Sequence, residues 1–334
     1  MNNLKKIGLT ALAGSLVASA SFAAELSVSG GAALYMDQPD NTVVRGNQFY
    51  MGDSVTFKGS GEMDNGWTVS VSYELDGGAQ SAKGKTGGTT SATSNVGGTN
   101  VLDSHSMTIG MGDAGSITFA GHGGSTAMSA LDDKLPTAYE ESWDIVTGAD
   151  KSVVNGVSGN NSFLYTSPSV SGAQVMVSYI NASDAVTDNS YMDFGITMSP
   201  EMVEGLSIGY ATGDDESTTG TVVSDSTMYA TYAYGSATVG FQRGSADSNQ
   251  GTNDIQTTGI AISYQVSDDL AISYGENTVD FEATTKVDQE ASGVSISYTM
   301  GSMSLSGGMN TVDNIGGSST ADKEGYEFEL AFAF

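Results

Sequence analysis

Apolar residues alternate with small or polar residues through much of the chain, most clearly in its last third. Between Gly259 and Val266, one face carries Ile260, Ile262, Tyr264 and Val266, and the other face carries Ala261, Ser263 and Gln265. A period of two indicates a β-strand with one apolar face. The same alternation recurs in many other segments, including 270–274, 294–300, 67–73 and 175–179.

Segments of this kind predict an all-β protein of about sixteen strands. Several of them approach ten residues, which matches a tilted membrane crossing better than the shorter strands of a soluble sandwich. The predicted strands are 25–36, 49–60, 67–75, 104–111, 115–120, 161–167, 172–181, 190–198, 205–213, 225–234, 236–244, 255–266, 269–277, 290–300, 302–310 and 325–334.

The connections between the predicted strands alternate in length. After even-numbered strands they are mostly short, as at Gly112-Asp113-Ala114 and at Gly235 alone. After odd-numbered strands they are mostly long and rich in Gly, Ser, Asp and Thr, at roughly 76–103, 121–160, 214–224, 245–254, 278–289 and 311–324. Transmembrane antiparallel β-barrels have short turns on one rim and long external loops on the other, so this fold class is predicted.

The last strand gives the most specific signal. One face carries Tyr326, Phe328, Leu330, Phe332 and Phe334, and the other face carries Glu327, Glu329, Ala331 and Ala333. In a barrel the aromatic stripe would face lipid and the two glutamates would face water in the lumen. A soluble protein would instead have to cover this stripe with a second sheet.

The first 23 residues predict a cleaved secretory signal. Lys5 and Lys6 precede an apolar stretch from Ile7 to Val17, and the small residues Ser21 and Ala23 fit a cleavage site. The mature protein would then be a single barrel domain over residues 24–334, exported through the periplasm to the outer membrane. No later segment has the run of about 20 apolar residues that a membrane helix needs.

Charge and composition exclude several classes of function. Without the signal the chain has nine basic against 39 acidic residues, a net charge of −30. Nucleic acid is therefore not an expected partner, because its recognition needs a basic surface. The chain has no cysteine, which excludes disulfides and thiol chemistry.

Candidate catalytic and metal-binding residues are few. His105 and His122 are the only histidines, and their spacing does not form a zinc motif. The sequence Gly205-Leu-Ser-Ile-Gly209 matches GxSxG, but strand alternation continues after it where a nucleophile would need a turn into a helix. Acidic clusters at 184–188, 214–216 and 313–322 could bind Ca²⁺, although solvated surface loops are the favoured explanation. No cofactor and no enzymatic activity are predicted.

At this point the chain resembles a known family, the Gram-negative general diffusion porins, most closely the alphaproteobacterial kind. The resemblance covers the signal, the first strand from Glu25 to Tyr35 and the Phe-terminated last strand. It also covers 115–126 followed by an acidic segment and then 161–168, which look like the fifth strand, third loop and sixth strand of the family. The resemblance implies a 16-stranded homotrimeric barrel, embedded among outer-membrane lipid and lipopolysaccharide, whose third loop folds inward. It also implies that Phe334 is recognised by the outer-membrane assembly machinery.

The predicted inward loop is acidic and departs from the pattern of the family. Family pores set acidic loop residues against an arginine-rich wall, whereas here the early strands offer little more than Arg45 and Lys58. Because a narrow site lined by acids attracts cations, we expect a channel for ions and small hydrophilic solutes that is biased toward cations. The candidate loop residues are Asp132, Asp133, Lys134, Glu140, Glu141 and Asp144.

Two other interpretations remain open from the sequence alone. A secreted acidic β protein, such as an adhesin or surface-layer component, would share the signal and the acidity, but gives no reason for Phe334 or for the alternating connections. A barrel enzyme using His122 would predict loss of a hydrolytic activity on His122→Ala.

Overall fold

The structure is a computed structural model that describes residues 25–39, 48–76, 102–146, 148–149, 154, 156–157, 159–182, 189–218, 221–250 and 254–334. The predicted signal (1–23), Arg45 and the acidic cluster at 184–188 lie outside these ranges. Among the described residues, no helix is long and apolar enough to cross a membrane.

Within the described ranges the chain forms sixteen strands, in agreement with the predicted number. Three short 3₁₀ turns lie between them, at Gly112–Ala114, Ser129–Leu131 and Ile315–Gly317. The strands are β1 Glu25–Pro39, β2 Gln48–Glu62, β3 Thr68–Asp76, β4 Ser104–Gly110, β5 Ser116–His122, β6 Ser162–Thr166, β7 Ala173–Ile180, β8 Tyr191–Met198, β9 Leu206–Thr218, β10 Thr221–Tyr234, β11 Ala237–Ser248, β12 Ile255–Ser267, β13 Leu270–Phe281, β14 Gln289–Met300, β15 Met303–Asp313 and β16 Lys323–Ala333.

The strands close into one antiparallel barrel. Each strand pairs with its neighbours in sequence, and β1 pairs with β16 over the register from Gly31↔Ala333 to Pro39↔Gly325. Beyond this register, Gly30 and Phe334 exchange two backbone hydrogen bonds of 3.0 and 2.9 Å. Closure leaves no unpaired sheet edge, which is the condition for a β structure in hydrocarbon. The described barrel has no second sheet of the kind that a soluble sandwich needs.

The wall has an apolar outer face and a largely polar inner face. On β12, Ile260, Ile262 and Tyr264 are 51%, 44% and 48% exposed, although they are large apolar side chains. Such exposure is explained when the outer face meets lipid rather than water. The alternate residues of each strand point into the barrel, as Ser273 on β13 and Glu327 on β16 do through their contacts with the chain inside it.

The wall is lower on one side than on the other. Strands β3 to β8 have five to nine residues, whereas the other ten strands have 11 to 15. Two of the predicted long loops are shorter than expected, because most of 214–224 and the first four residues of 245–254 are strand residues. Strand β9 continues to Thr218, β10 begins at Thr221 and β11 continues to Ser248. The ladder of backbone hydrogen bonds goes on where the outward residues become polar, as at Asp214 and Asp247, so the apolar alternation ends before the strands do.

Candidate pore constriction

The described residues of the segment between β5 and β6 fold into the barrel and pack against its inner wall. We call residues 123–161 the inward loop. Several of the loop's side chains are fully or almost fully buried: Met128 and Leu131 are 0% exposed, and Val146 is 3% exposed. Two apolar clusters join the loop to the wall, one around Met128 and Leu131 and one around Leu135 and Trp143. The protein thus has its hydrophobic core inside the lumen, under the loop.

Asp193 on β8 fixes the beginning of the inward loop. Its carboxylate accepts hydrogen bonds from the backbone N–H of Ala127 (3.1 Å) and of Met128 (2.9 Å). It also accepts from the hydroxyls of Ser178 and Tyr191, and it is 0% exposed. A buried carboxylate is tolerated because these four donors replace its water shell.

Amide and hydroxyl side chains of the wall hold the middle of the loop. Gln242 on β11 accepts from the backbone N–H of Lys134 at 3.0 Å and donates to the carbonyl of Leu131 at 3.0 Å. Further along, Ser273 accepts from the N–H of Ala138 at 2.9 Å and Ser295 accepts from the N–H of Tyr139 at 3.0 Å. The loop's backbone groups have no partner in a regular strand, and these side chains of the wall supply their hydrogen bonds instead.

Glycines in the wall make room for the loop. A Cβ at Gly240 would lie 2.2 Å from the Pro136 ring, and a Cβ at Gly293 would lie 2.8 Å from the backbone of Ser142. Glycine within a strand often marks such a close approach of another segment. The same relationship joins the loop to other wall glycines, namely Gly195, Gly209, Gly244, Gly259, Gly308 and Gly325.

The last anchor of the loop is at the seam of the barrel, which we define as the pairing of β1 with β16. Tyr139 donates its phenolic hydrogen to one carboxylate oxygen of Glu327 on β16, and Tyr50 on β2 donates to the other oxygen at 2.7 Å. The ring of Tyr50 stacks on that of Tyr35 on β1, with centroids 4.6 Å apart and planes 10° apart. Two strands, β2 and β16, and the loop thus meet at the Glu327 carboxylate, and β1 is joined to them by the stacking of Tyr35 on Tyr50.

Carboxyl groups gather on the loop just after Tyr139. Glu140, Glu141 and Asp144 each offer an oxygen, and the three oxygens lie within 4.8 Å of one another. Burial, together with the neighbouring charge of Asp144, raises the pKa of Glu140 to about 7. Burial and a hydrogen bond with Asp144 raise the pKa of Glu141 to about 9. The pKa of Asp133 rises to about 6, because burial and the charges of Asp132 and Asp144 outweigh the opposing effect of Lys134.

Hydroxyl groups line part of the lumen wall on β1 to β4. A cavity of about 540 Å³ there is bordered by Lys58 and by Glu25, Ser27, Ser60, Ser70, Ser72, Ser106 and Thr108. Lys58 is the one basic residue among the groups that border this cavity. The wall here offers neutral hydrogen-bonding groups in place of several cations.

The structure brings most of the predicted site residues together. Asp132, Asp133, Glu140, Glu141 and Asp144 lie on the inward loop, and Lys58 faces the lumen on β2. Lys134 contributes its backbone N–H to an anchor, in addition to its charge beside Asp133. Their role in permeation stays a prediction.

Sequence analysis missed the tyrosines of the seam, Tyr35, Tyr50 and Tyr139, although it placed their partners Glu327 and Glu329 in the lumen. One signal was available, because Tyr35 follows the outward-facing Leu34 and therefore occupies the polar face of β1. An aromatic side chain on the water-filled side of a barrel strand is unusual enough to indicate a contact.

The two histidines lie closer than their spacing in the sequence suggests. His105 on β4 is the register partner of His122 on β5, at a bulge where the His105 ring covers Gly121. The nitrogen Nδ1 of His122 is hydrogen bonded with the backbone carbonyl of Asp103. The GxSxG sequence lies at the start of β9, where Leu206 to Gly209 are strand residues.

A closed barrel with an apolar outer wall, a polar lumen and a loop folded inside defines the class of outer-membrane channel proteins. Comparison with family profiles agrees: the chain belongs to the Gram-negative porin family, which it matches over residues 8–316. The resemblance predicted from the sequence is thereby confirmed. A search of curated proteins finds no match to the chain.

Solved porin structures share the fold. The anion-selective porin from Comamonas acidovorans is 15% identical, with a TM-score of 0.67, and the alignment covers 93% of this chain and 100% of that one. An engineered triple mutant of Rhodopseudomonas blastica porin is 12% identical, with a TM-score of 0.64 and the same coverage. A porin structure refined at 1.8 Å resolution is 16% identical, with a TM-score of 0.68.

Proposed function

We propose that this protein is an outer-membrane channel for passive diffusion of ions and small hydrophilic solutes, biased toward cations. The observation that carries the proposal is the group of loop carboxylates around Glu140 and Asp144 inside the closed barrel. Transport of this kind needs a lumen of suitable width and charge and no reactive group, so we propose no enzymatic activity.

The bias toward cations rests on the balance of charge inside the barrel. The described residues of the inward loop contribute five acids against Lys134, and Glu327 and Glu329 on β16 add two more acids. The remaining loop positions add one acid and one base, Asp150 and Lys151. A low-dielectric wall concentrates their field in the narrow part of the lumen. The Comamonas porin is anion-selective, but it is only 15% identical to this chain. The likeness shows a common fold and gives no information on the ion selectivity of this protein.

Planar bilayers test both parts of the proposal. Insertion of the purified protein should produce stepwise increases in conductance. Under a KCl gradient, the reversal potential should have the sign expected for a membrane more permeable to K⁺ than to Cl⁻. At pH 8 and above, where Glu140 is ionised, the double variant Glu140→Gln and Glu141→Gln should lower the ratio of K⁺ to Cl⁻ permeability. Asp214→Asn is the matched control, because Asp214 is exposed on the outer side of β9. Absence of conductance steps would refute the channel, and preference for Cl⁻ would refute the bias.

We propose a homotrimer assembled through the low side of the wall. Strands β3 to β8 present outward apolar residues on short strands, among them Tyr73 on β3, Met107 on β4 and Phe163 on β6. A low wall suits a surface covered by neighbouring subunits rather than by lipid and lipopolysaccharide. Native mass spectrometry in detergent should give a trimer for the wild type and a smaller species for Phe163→Arg.

Export and assembly complete the proposal. Residues 1–23 would be removed in the periplasm, so the first residue of the protein recovered from outer membranes should be Ala24. N-terminal sequencing of the protein from outer membranes would identify this first residue directly. The assembly machinery would then recognise the strand that ends at Phe334.

Calcium binding, which the sequence suggested for the acidic clusters at 184–188, 214–216 and 313–322, stays a prediction. Glu140, Glu141 and Asp144 are a further group of carboxylates whose oxygens lie within 4.8 Å of one another. Clustered carboxylate oxygens are the ligands that Ca²⁺ prefers. Isothermal titration of the purified protein with CaCl₂, alongside the Glu140→Gln and Glu141→Gln double variant, would measure it. The proposed diffusion function needs no bound metal.

A further inference from the structure

Three tyrosines and two glutamates form a corner of the lumen where the inward loop reaches the seam of the barrel. We call Tyr35, Tyr50, Tyr139, Glu327 and Glu329 the aromatic–acid corner. The register of the strands places it: Tyr35 on β1 is opposite Tyr50 on β2 on one side and Glu329 on β16 on the other. Tyr139 reaches it from the loop.

The hydrogen bonds hold the rings in place. Both oxygens of Glu327 accept phenolic hydrogens, one from Tyr50 and one from Tyr139. Tyr35 and Tyr50 lie in parallel at 4.6 Å, so each ring covers one face of the other. Gly52 is the next lumen-facing residue of β2, and it has no side chain to cover the edge of the Tyr35 ring. A Cβ added at Gly52 would lie 3.3 Å from that ring. The two rings are partly exposed and form a fixed aromatic surface beside the water-filled lumen.

The charges around this surface are negative. Glu140 on the loop, together with Glu327 and Glu329, interacts electrostatically with Tyr35. Asp37 on β1, together with Glu327, interacts electrostatically with Tyr50. Within the part of the chain that the structure describes, no ion pair neutralises Glu327 or Glu329. An approaching cation therefore meets both ring quadrupoles and net negative charge.

We propose that the aromatic–acid corner binds organic cations during their passage, in particular amines that carry methyl or alkyl groups on nitrogen. Such cations combine attraction to carboxylates with contact between their N-methyl groups and ring faces, which is how aromatic sites recognise quaternary ammonium. A small inorganic cation keeps its water shell and gains only the charge term. The proposal rests on the proposed function, because the corner is reached through the same lumen.

Choline provides the probe, and its uncharged carbon isostere, in which a tert-butyl group replaces the trimethylammonium group, provides the matched comparison. Single channels in KCl are recorded while either compound is added to one side. Choline should reduce the K⁺ current in a saturable way, and the isostere at equal concentration should reduce it far less. Equal effects of the two compounds, or a linear effect of choline, would overturn the proposal.

Two double variants separate the rings from the charges. Tyr35→Leu with Tyr50→Leu should raise the half-effective choline concentration about five- to tenfold, while the reversal potential in KCl keeps its sign because the carboxylates remain. Glu327→Gln with Glu329→Gln should weaken choline block and also lower the preference for K⁺. Glu74→Gln is the control, since Glu74 on β3 pairs with Thr56, six residues or roughly 20 Å along β2 from Tyr50.

The outcomes keep this site distinct from the channel itself. If the variant with both tyrosines replaced does not fold, its mobility on gels with and without heating would show this. In that case the comparison of choline with its isostere on the wild-type channel still tests whether the corner binds organic cations. A conducting, cation-biased channel that choline does not block in a saturable way refutes the site and leaves the channel standing. Absence of conductance steps refutes the proposed function.

Discussion

Tyr139, in the inward loop, donates its phenolic hydrogen to Glu327, which lies 188 residues further along the chain on the last strand. This bond connects the loop to the place where the barrel closes on itself, because β16 pairs with β1 there. The position of the loop in the lumen and the closure of the wall are therefore coupled through one carboxylate.

Tyr139→Phe should loosen this connection. The variant keeps the ring and removes one donor from Glu327, a hydrogen bond to a charged group that contributes about 1.5–3 kcal/mol. We expect larger open-channel current noise with little change in the amount of folded barrel. Tyr165→Phe is the control, because Tyr165 donates to the carbonyl of Ala114 outside the loop. Equal noise in the two variants would contradict the role of the bond.

Asp193→Ala should release the beginning of the loop. It leaves the N–H of Met128 without its acceptor, and it leaves the N–H of Ala127 with only the longer 3.3 Å hydrogen bond to the Ser178 hydroxyl. An unsatisfied buried donor costs about 1–3 kcal/mol. We expect faster proteolysis within residues 123–161 of the folded protein and a higher conductance. Asp214→Asn, at an exposed position on β9, should change neither. Unchanged protection of the loop in Asp193→Ala would show that other anchors suffice.

Gly240→Ala should disturb the fit of loop and wall, because the new Cβ would lie 2.2 Å from the Pro136 ring. Overpacking of this kind costs about 1–3 kcal/mol. The midpoint of heat denaturation, followed by the mobility shift on gels, should fall. Gly61→Ala gives the matched control, since a Cβ there has nothing within 4 Å. Similar midpoints for the two variants would argue against close packing at Gly240.

Ion selectivity should depend on pH near neutrality. The pKa of Glu140 is raised to about 7, first by burial and then by Asp144 on the loop and by Glu327 and Glu329 on β16. Glu140 is neutral below this value and negative above it, so the ratio of K⁺ to Cl⁻ permeability should rise between pH 6 and pH 8. A further rise toward pH 10 is expected from Glu141, whose pKa is about 9. Reversal potentials measure both steps.

Glu140→Gln should remove the step near pH 7 and leave the later one. The substitution keeps the size of the side chain and fixes it in the uncharged state. A step near neutrality that persists in this variant would assign the titration to another group, and Asp133, whose pKa is about 6, is the next candidate.

Phe334→Ser should lower the amount of assembled barrel in the outer membrane severalfold. Phe334 closes the seam with Gly30 through its backbone, and we propose that its ring is recognised by the assembly machinery. Phe332→Ser removes a similarly exposed lipid-facing ring from the same strand. If both variants assemble equally poorly, loss of apolar surface explains the effect.

The strands could be predicted because one face of each meets hydrocarbon and the other meets water, as Ile260 and Ala261 illustrate. The outer ends of β9 and β11 were missed for the same reason, since both faces are polar beyond the lipid. The inward loop was predicted only through the resemblance of 115–168 to the fifth strand, third loop and sixth strand of the family.

The corner around Glu327 could not be predicted, because its partners come from sequence positions as distant as Tyr50, 277 residues away. Only the register of the closed barrel brings them together. Glycines such as Gly240 could be placed on a strand, but the segment that packs on them depends on the path of the loop.

The row of wall glycines also bears on attempts to change the bore of the channel by exchanging loops. The inward loop lies in a groove that the barrel itself provides, and Gly240 and Gly293 form part of its floor. Grafted onto a barrel with larger residues at those positions, the same loop would stand further from its support and obstruct more of the opening. Engineering of pore diameter in this protein therefore has to treat the two surfaces as one design unit.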